Sequence, residues 1–455
     1  MDKGRFLFPP LMRNALKLSA STVLMYGLVF VVTPILSRLY QPELFGEWGV
    51  FAGVVSIVSF ILCLCYDQAL VGEKDERNVF PIMVLCLLSA LAVCIVTCGV
   101  MLFGAWMGWR FFTGFPSLSL LAAFLLLHAL NMLFLAFANW CEAYGKMSVN
   151  NLLIGVTQAL FRLLLGGRWA KWIKGNGLII GTVLSQGVAT CFMLWAIRKR
   201  LKEVCLRDYC GWNQLKVLAL RYRKYPLYDA PSMLLAMSAS NVSLLLLSVY
   251  YSKSEIGCYS VVLQLLLLPM TFVGSAIGKT YFRDISKCDK PEQMKSVTMF
   301  VLRVMAVLSL LPILFLTFGG DFVVAWFLGD RWMLAGRLAL CLSLWTWSFT
   351  LVQPLLPLYR KLGLQQIMLR FDILHFGAAL LAIGFGIIRH YTIEEVALLY
   401  AVCVSVVKLW LLRDILKRAC IKRQEIPLWY WCVSLLIVCC WLIRLVGIRC
   451  GTFPC

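Results

Sequence analysis

Charged residues are scarce in this chain, and their scarcity excludes an ordinary soluble protein. Asp, Glu, Lys and Arg together make up 14% of the 455 residues, whereas a soluble domain contains about a quarter. Hydrophobic residues make up 61%. They form runs of about 20 residues, the length that crosses a bilayer as a helix. The sequence therefore predicts an all-α polytopic membrane protein.

Histidine and long polar connections are also few. The 3 His residues form no group with the spacing of a metal site. Most of the 19 Cys residues lie inside apolar runs, where they act as small hydrophobes. No connection between the apolar runs is long enough to hold a soluble catalytic domain. We therefore expect neither a cofactor nor an enzyme.

Basic residues, in contrast, are abundant, and their positions indicate the topology. The formal net charge is +21, and about 30 of the 43 Lys and Arg residues fall in alternate loops. This asymmetry follows the positive-inside rule, which places those loops and the N-terminus in the cytoplasm. Topology thus explains the excess of positive charge, and no nucleic-acid partner is expected.

The apolar runs give the expected order of spans. Twelve spans are predicted near 15–37, 48–71, 79–103, 118–140, 148–167, 177–197, 228–251, 257–278, 297–318, 335–359, 365–388 and 394–412, with a further apolar stretch near 428–446. The long basic connection between the sixth and seventh spans divides the chain. We predict an N-terminal six-helix bundle at 1–200, a basic cytoplasmic linker at 201–226, a C-terminal six-helix bundle at 227–415 and an extra hydrophobic segment with a tail at 416–455.

A short pattern recurs in the first outer loop of each half. The pattern is Ser-x-x-Tyr, five residues, Gly, one residue and an aromatic residue. It occurs at Ser37, Tyr40, Gly46 and Trp48, and again at Ser248, Tyr251, Gly257 and Tyr259. Because both copies hold the same topological position, the halves are predicted to be parallel repeats, an arrangement typical of transporters.

Four patches carry a family resemblance: residues 36–46, 66–77, 221–231 and 327–336. With them, residues 15–390 resemble the polysaccharide-biosynthesis membrane proteins that flip lipid-linked oligosaccharides such as O-antigen units. Those proteins belong to the multidrug/oligosaccharidyl-lipid/polysaccharide (MOP, MATE-like) exporter superfamily. Two features depart from the family: the stretch at 428–446 would make the number of spans odd, and the outer connection at 168–174 is basic.

The resemblance implies a fold, a cargo and partners. The fold is two six-helix bundles around a central cavity that opens alternately to the two sides. The cargo is an undecaprenyl-pyrophosphate-linked oligosaccharide, moved to the outer leaflet of the bacterial inner membrane. Membrane lipids, a polysaccharide polymerase and chain-length proteins are the implied partners. A polymerase or ligase of envelope glycans is an alternative, which would need a sizeable outer loop. A MATE-like drug exporter is another, which would need acidic cavity residues.

A pyrophosphate crossing a bilayer needs cations beside a hydrated path, because lipid does not solvate it. The candidate substrate-binding residues are Arg162, Arg221, Arg223, Lys224, Arg303, Arg370 and Lys408. Residues 221–231 combine basic and Tyr residues, which indicates either a headgroup entry site or a loop that only sets topology.

Individual candidates have alternative readings. Arg162 could face the cavity, or it could be a snorkelling or helix-paired arginine. Lys408 could bind cargo or snorkel. Asp67 is the candidate for a coupling proton, and it could instead cap the interface. Asp372 is expected to pair with Arg370.

Overall fold

The computed structural model describes residues 10–167, 176–207, 211–286, 288, 290–362, 364–421, 425 and 441–442. Across these residues the regular structure is helical, and it contains no strand. The helices are α1 (Pro10–Leu39), α2 (Pro42–Ser59), α3 (Tyr66–Gly72), α4 (Glu76–Trp106), α5 (Arg110–Thr113), α6 (Leu118–Trp140), α7 (Tyr144–Gly166), α8 (Gly177–Arg207), α9 (Trp212–Arg221), α10 (Ala230–Tyr250), α11 (Lys253–Ser286), α12 (Pro291–Phe315), α13 (Asp321–Leu328), α14 (Met333–Val352), α15 (Pro357–Lys361), α16 (Gln365–Ile388) and α17 (Ile393–Arg418).

The helices confirm the predicted membrane architecture. Eight described segments are long and apolar enough to cross a membrane, and they lie in α4, α6, α7, α8, α12, α14 with its C-terminal extension, α16 and α17. The four other predicted spans coincide with α1, α2 with α3, α10 and α11. In lipid a helix is favoured because it satisfies every backbone polar group within one segment. The predicted stretch 428–446 lies outside the described residues, apart from Trp441 and Leu442.

The second predicted span, 48–71, is wrong as a single helix. Helix α2 ends at Ser59 and α3 begins at Tyr66. Between them Leu64 and Cys65 have φ angles of 47° and 61°. This left-handed backbone is unfavourable for residues with a Cβ, because the Cβ approaches the following carbonyl oxygen. The apolar pattern carries no sign of the break, since neither glycine nor proline occurs between residues 60 and 65.

The chain divides into two compact units. Unit 1 contains residues 1–40 and 47–241, and unit 2 contains residues 41–46 and 242–455. Each unit has its own buried apolar cluster. The cluster of unit 1 draws residues from α3, α4, α6, α8 and α9. The cluster of unit 2 draws residues from α11, α12, α14, α16 and α17.

Contacts within unit 1 group its alternate connections at one end. The indole nitrogen of Trp140 donates to the carbonyl oxygen of Glu73 at 3.0 Å. The hydroxyl of Tyr222 donates to the Glu73 carboxylate at 2.5 Å. The ammonium of Lys146 donates to the carbonyl oxygen of Ala196 at 2.6 Å. We call the end formed by residues 73–76, 140–146, 196–203 and 221–225 the linker end of unit 1.

The other end of unit 1 is formed by the intervening connections. The Tyr40 hydroxyl donates to the carbonyl oxygen of Arg162 at 2.7 Å, and the Asn176 amide donates to the Glu47 carboxylate at 3.3 Å. The basic residues of unit 1 are concentrated at the linker end, where the charge asymmetry of the sequence predicts them.

Candidate functional site

Arg162 is buried inside unit 1, with 4% of its surface exposed. Its guanidinium donates to the Thr182 hydroxyl on α8 at 2.8 Å and lies 4.7 Å from the centre of the Trp48 ring. Gly181 makes room for its stem, since a Cβ at Gly181 would lie 3.0 Å from Arg162 Cγ. These are the contacts of an arginine that joins helices, although its Nε has no hydrogen-bond partner.

Tyr40 completes this packed region. Its hydroxyl bonds to the backbone of Arg162, and its ring lies against Gly166 and Gly177, where an added Cβ would overlap it. The two glycines therefore allow α7 and α8 to close around the tyrosine. The signal in the sequence was the Ser-x-x-Tyr pattern, although the pattern does not identify the partner of the tyrosine.

The predicted basic segment, in contrast, is accessible at the linker end. Arg221, Arg223 and Lys224 are exposed, and the guanidinium of Arg221 lies 5.4 Å from the centre of the Tyr222 ring. A single-turn π-helix at Tyr225–Asp229 follows and leads into α10. The three cations thus lie close together in the chain. Tyr222, which lies between them, attaches the segment to unit 1 through its bond to Glu73.

Glu73 is the residue that holds this segment, and the sequence analysis did not identify it. Its carboxylate accepts from Tyr222 at 2.5 Å, from the backbone of Lys74 at 2.9 Å and from the backbone of Asp75 at 3.0 Å. Burial alone would raise the pKa of Glu73, but these donors and Arg221 hold it below its ordinary value. Burial and the bond to Glu73 raise the pKa of Tyr222 to about 12, so its hydroxyl remains a donor at physiological pH.

Asp67 lies in a separate pocket of unit 1. The pocket has a volume of about 390 Å³ and is lined by Asp67, Gln68, Val71, Met132, Leu135, Ala136, Asn139 and Met147. Its polar groups are therefore a carboxylate and two side-chain amides, and its walls are mainly apolar. The predicted coupling residue thus faces a cavity, and the predicted basic residues are not among its lining residues.

The predicted cations of unit 2 differ in exposure. Lys408 is buried, and its Nζ lies 5.7 Å from the centre of the Phe349 ring. Arg303 and Arg370 are exposed. The predicted pairing of Asp372 with Arg370 is wrong, because the charge that acts on Asp372 is that of Lys408 on α17. The sequence spacing favoured the neighbour along the chain, whereas helix packing brings Asp372 towards the lysine.

The four predicted cations of unit 1 do not form one site. Within unit 1, Arg162 lies at the end opposite to Arg221, Arg223 and Lys224. The remaining three belong to unit 2. The arrangement that could meet a phosphate group is therefore the exposed segment at the linker end. Its role in binding stays a prediction.

Sequence comparison supplies the family. The model of a family described as "Polysaccharide biosynthesis protein" matches residues 35–335, which is well over half of the chain. The chain belongs to this family. The match confirms the resemblance found in the sequence patches. No curated protein sequence matches the chain.

Solved structures of the MOP superfamily share the fold. An inward-facing multidrug resistance MATE family transporter is 13% identical, with a TM-score of 0.62 over 87% of this chain and 95% of that chain. The lipid II flippase MurJ in an inward closed conformation is 14% identical, with a TM-score of 0.62 over 94% of this chain and 98% of that chain. A MOP superfamily transporter from Pyrococcus furiosus Vc1 is 13% identical, with a TM-score of 0.53 over 89% and 96%. The chain is therefore a multi-pass membrane protein with the fold of this superfamily.

Proposed function

We propose that this protein is a flippase that moves undecaprenyl-pyrophosphate-linked oligosaccharides from the cytoplasmic to the outer leaflet of a bacterial inner membrane by alternating access. The family supports a role in polysaccharide biosynthesis, and the fold is shared with a lipid II flippase and with MATE transporters. A polysaccharide polymerase and chain-length proteins are the proposed partners, since they would use the oligosaccharide on the outer side.

The observation that carries the proposal is the exposed cationic segment at the linker end. Arg221 and Arg223 offer planar two-pronged donors that match phosphate oxygens, and Lys224 adds a point charge. Tyr222 is bonded to Glu73, so the segment is attached to the bundle. The proposed role of the segment is the first binding of the pyrophosphate headgroup. This role requires the linker end, and with it the N-terminus, to be cytoplasmic.

The test is complementation of a bacterial strain that lacks its own oligosaccharide flippase. We expect the triple variant Arg221→Gln, Arg223→Gln and Lys224→Gln to lose most surface glycan. The matched control is Lys199→Gln with Lys202→Gln, which removes two exposed cations of the α8 extension and should retain glycan. Both variants must reach the membrane at the wild-type level. Full complementation by the triple variant would show that the cationic segment is not needed to bind the pyrophosphate headgroup.

A MATE-like drug exporter is the second candidate, and the Asp67 pocket is the observation that favours it. A carboxylate within mainly apolar walls suits a hydrophobic organic cation. Expression in a drug-hypersensitive strain tests this candidate. Resistance that requires Asp67, in a protein that does not restore surface glycan, would favour export over flipping.

A further inference from the structure

Helix α9 has a buried apolar face and also exposes large apolar side chains, although it lies in the basic linker. Leu215 and Leu218 are buried against unit 1. On the opposite face Trp212, Val217 and Leu220 are 66%, 64% and 66% exposed. Helical geometry groups positions 212, 216, 217 and 220 on that face. The exposed face therefore carries three large apolar side chains, spread from the first to the ninth residue of the helix, with Lys216 and the exposed Asn213 among them.

The depth of α9 follows from its contact with a membrane-spanning helix. Leu218 belongs to the same buried cluster as Val79, Ile82 and Met83, which lie in the first two turns of α4. Helix α4 begins at Glu76 and is long and apolar enough to cross a membrane. Since each residue of a helix rises about 1.5 Å, α9 is held within roughly 10 Å of the point where α4 begins.

Helix α9 cannot itself cross the bilayer. It has ten residues, about half of what a span needs. The bond between Tyr222 and Glu73 fixes the chain directly after its last turn. An apolar face of this kind, beside the start of a span, fits a helix that lies in the plane of the membrane surface.

The charge of α9 selects the kind of lipid. Its ten residues include Lys216 and Arg221 and no acidic residue. Lys216 is exposed on the same face as Trp212, with its Nζ 5.6 Å from the centre of the indole ring. A lysine beside an interfacial tryptophan is placed to meet lipid phosphate groups, and basic residues near the surface favour anionic lipids.

We propose that α9 is an interfacial anchor that binds anionic phospholipids of the bilayer. Trp212, Val217 and Leu220 enter the boundary between headgroups and acyl chains, while Lys216 meets the phosphates. The cargo and its binding segment at 221–224 are not needed for this anchor. It rests on the membrane location of the chain and is independent of the proposed flippase activity.

The full chain in nanodiscs tests the contact. A photoreactive benzoylphenylalanine is placed at Val217, and a matched control is placed at Lys202 on the exposed α8 extension. We expect Val217 to cross-link phospholipid and Lys202 not to do so. Cross-linking at Val217 to another protein would identify a protein interface and overturn the proposal. The proposal would also be overturned if the label at Val217 cross-linked no lipid while the same label, placed in a lipid-facing span as a positive control, did.

The charge dependence is tested in mixed phosphatidylglycerol and phosphatidylcholine nanodiscs. Lys216→Gln should lower the preference for phosphatidylglycerol at the Val217 label by about fivefold, which corresponds to about 1 kcal/mol for one basic residue near an anionic surface. Lys199→Gln is the control and should leave the preference unchanged. Equal preferences in wild type and Lys216→Gln would refute the anionic selectivity. Because the readout is lipid composition, it does not depend on transport.

Discussion

Gly46 and Gly257 face each other across a reciprocal contact in unit 2. A Cβ at Gly46 would overlap the carbonyl oxygen of Lys253, and a Cβ at Gly257 would overlap the carbonyl oxygen of Pro42. Pro42 is the first residue of α2 and Lys253 the first of α11, and each precedes the glycine of its own helix by one turn. The first turns of the two helices therefore pack backbone to backbone.

The same equivalence extends to the tyrosines of the repeated pattern. Tyr40 donates to the carbonyl oxygen of Arg162 near the end of α7 at 2.7 Å. Tyr251 donates to the carbonyl oxygen of Tyr391 just after α16 at 2.6 Å. Arg162 lies near the end of the fifth predicted span of the first half, and Tyr391 lies just after the fifth predicted span of the second half. The repeat in the sequence thus corresponds to repeated structural roles, and this agreement supports the parallel arrangement.

The first prediction concerns the two glycines. Gly46→Ala and Gly257→Ala should each lower the free energy of unfolding by about 1–3 kcal/mol, the usual cost of overpacking. Gly384→Ala is the matched control, because a Cβ there meets nothing within 4 Å and alanine is the better helix former. The measurement is the melting temperature of the detergent-solubilised protein. Melting temperatures of both variants equal to that of Gly384→Ala would contradict the reciprocal contact.

Much of the fold could be predicted from the sequence because lipid allows few alternatives. A long apolar run must form a helix in the bilayer, and the predictions 118–140 and 365–388 coincide with α6 and α16. The break before α3 could not be predicted, since its left-handed residues are Leu64 and Cys65. Those side chains usually avoid this conformation, so no local signal in the sequence marks the break.

The candidate site was less predictable, for a different reason. Composition identified the cations at 221–224, but their attachment depends on Glu73, which lies 149 residues from Tyr222 in the chain. A contact at this separation has no signature in local spacing. Arg162 shows the same limit, because its depth in a span did not reveal whether it faces a cavity or the ring of Trp48.

The second prediction concerns the pH dependence of the bond between Glu73 and Tyr222. The pKa of Glu73 is lower in the folded protein than its ordinary value of 4.5. The carboxylate therefore adds stability above that value, and the contribution is lost as the pH falls through the lower pKa of the folded protein. We expect Glu73→Gln to have a lower melting temperature than wild type at pH ~7 and a smaller drop on acidification to about pH 3.

Two further variants make this test specific. Tyr222→Phe should lose about 1 kcal/mol at neutral pH, since the site is partly open to solvent. Glu292→Gln replaces an exposed carboxylate at the start of α12 and should follow the acid response of wild type. A Glu73→Gln variant with the full acid response of wild type would show that other carboxylates control it.

The third prediction separates packing from recognition at Arg162. Arg162→Ala should lower the amount of folded protein and its melting temperature, because it leaves a cavity beside Gly181 and removes the hydrogen bond to Thr182. Thr182→Val should have a smaller effect in the same direction. Surface glycan is then measured per molecule of folded protein. A normal melting temperature combined with lost glycan would instead indicate a role in binding the pyrophosphate.

The last prediction concerns Lys408 and Asp372, the opposite charges brought together by α16 and α17. Removing Asp372 leaves the buried Lys408 without an opposite charge, and removing Lys408 leaves the half-buried Asp372 without one. Both losses are costly in a low-dielectric environment. Lys408→Met and Asp372→Asn should therefore each destabilise the protein. The double variant should be less destabilised than the sum of the two, by about 0.5–3 kcal/mol, because coupled sites are not additive. The measurement is a double-mutant cycle of unfolding free energies in detergent. In a control cycle, Arg303→Met takes the place of Lys408→Met beside Asp372→Asn. Additive effects for Lys408 and Asp372 would show that the two charges do not interact, and the buried lysine would then need a different partner.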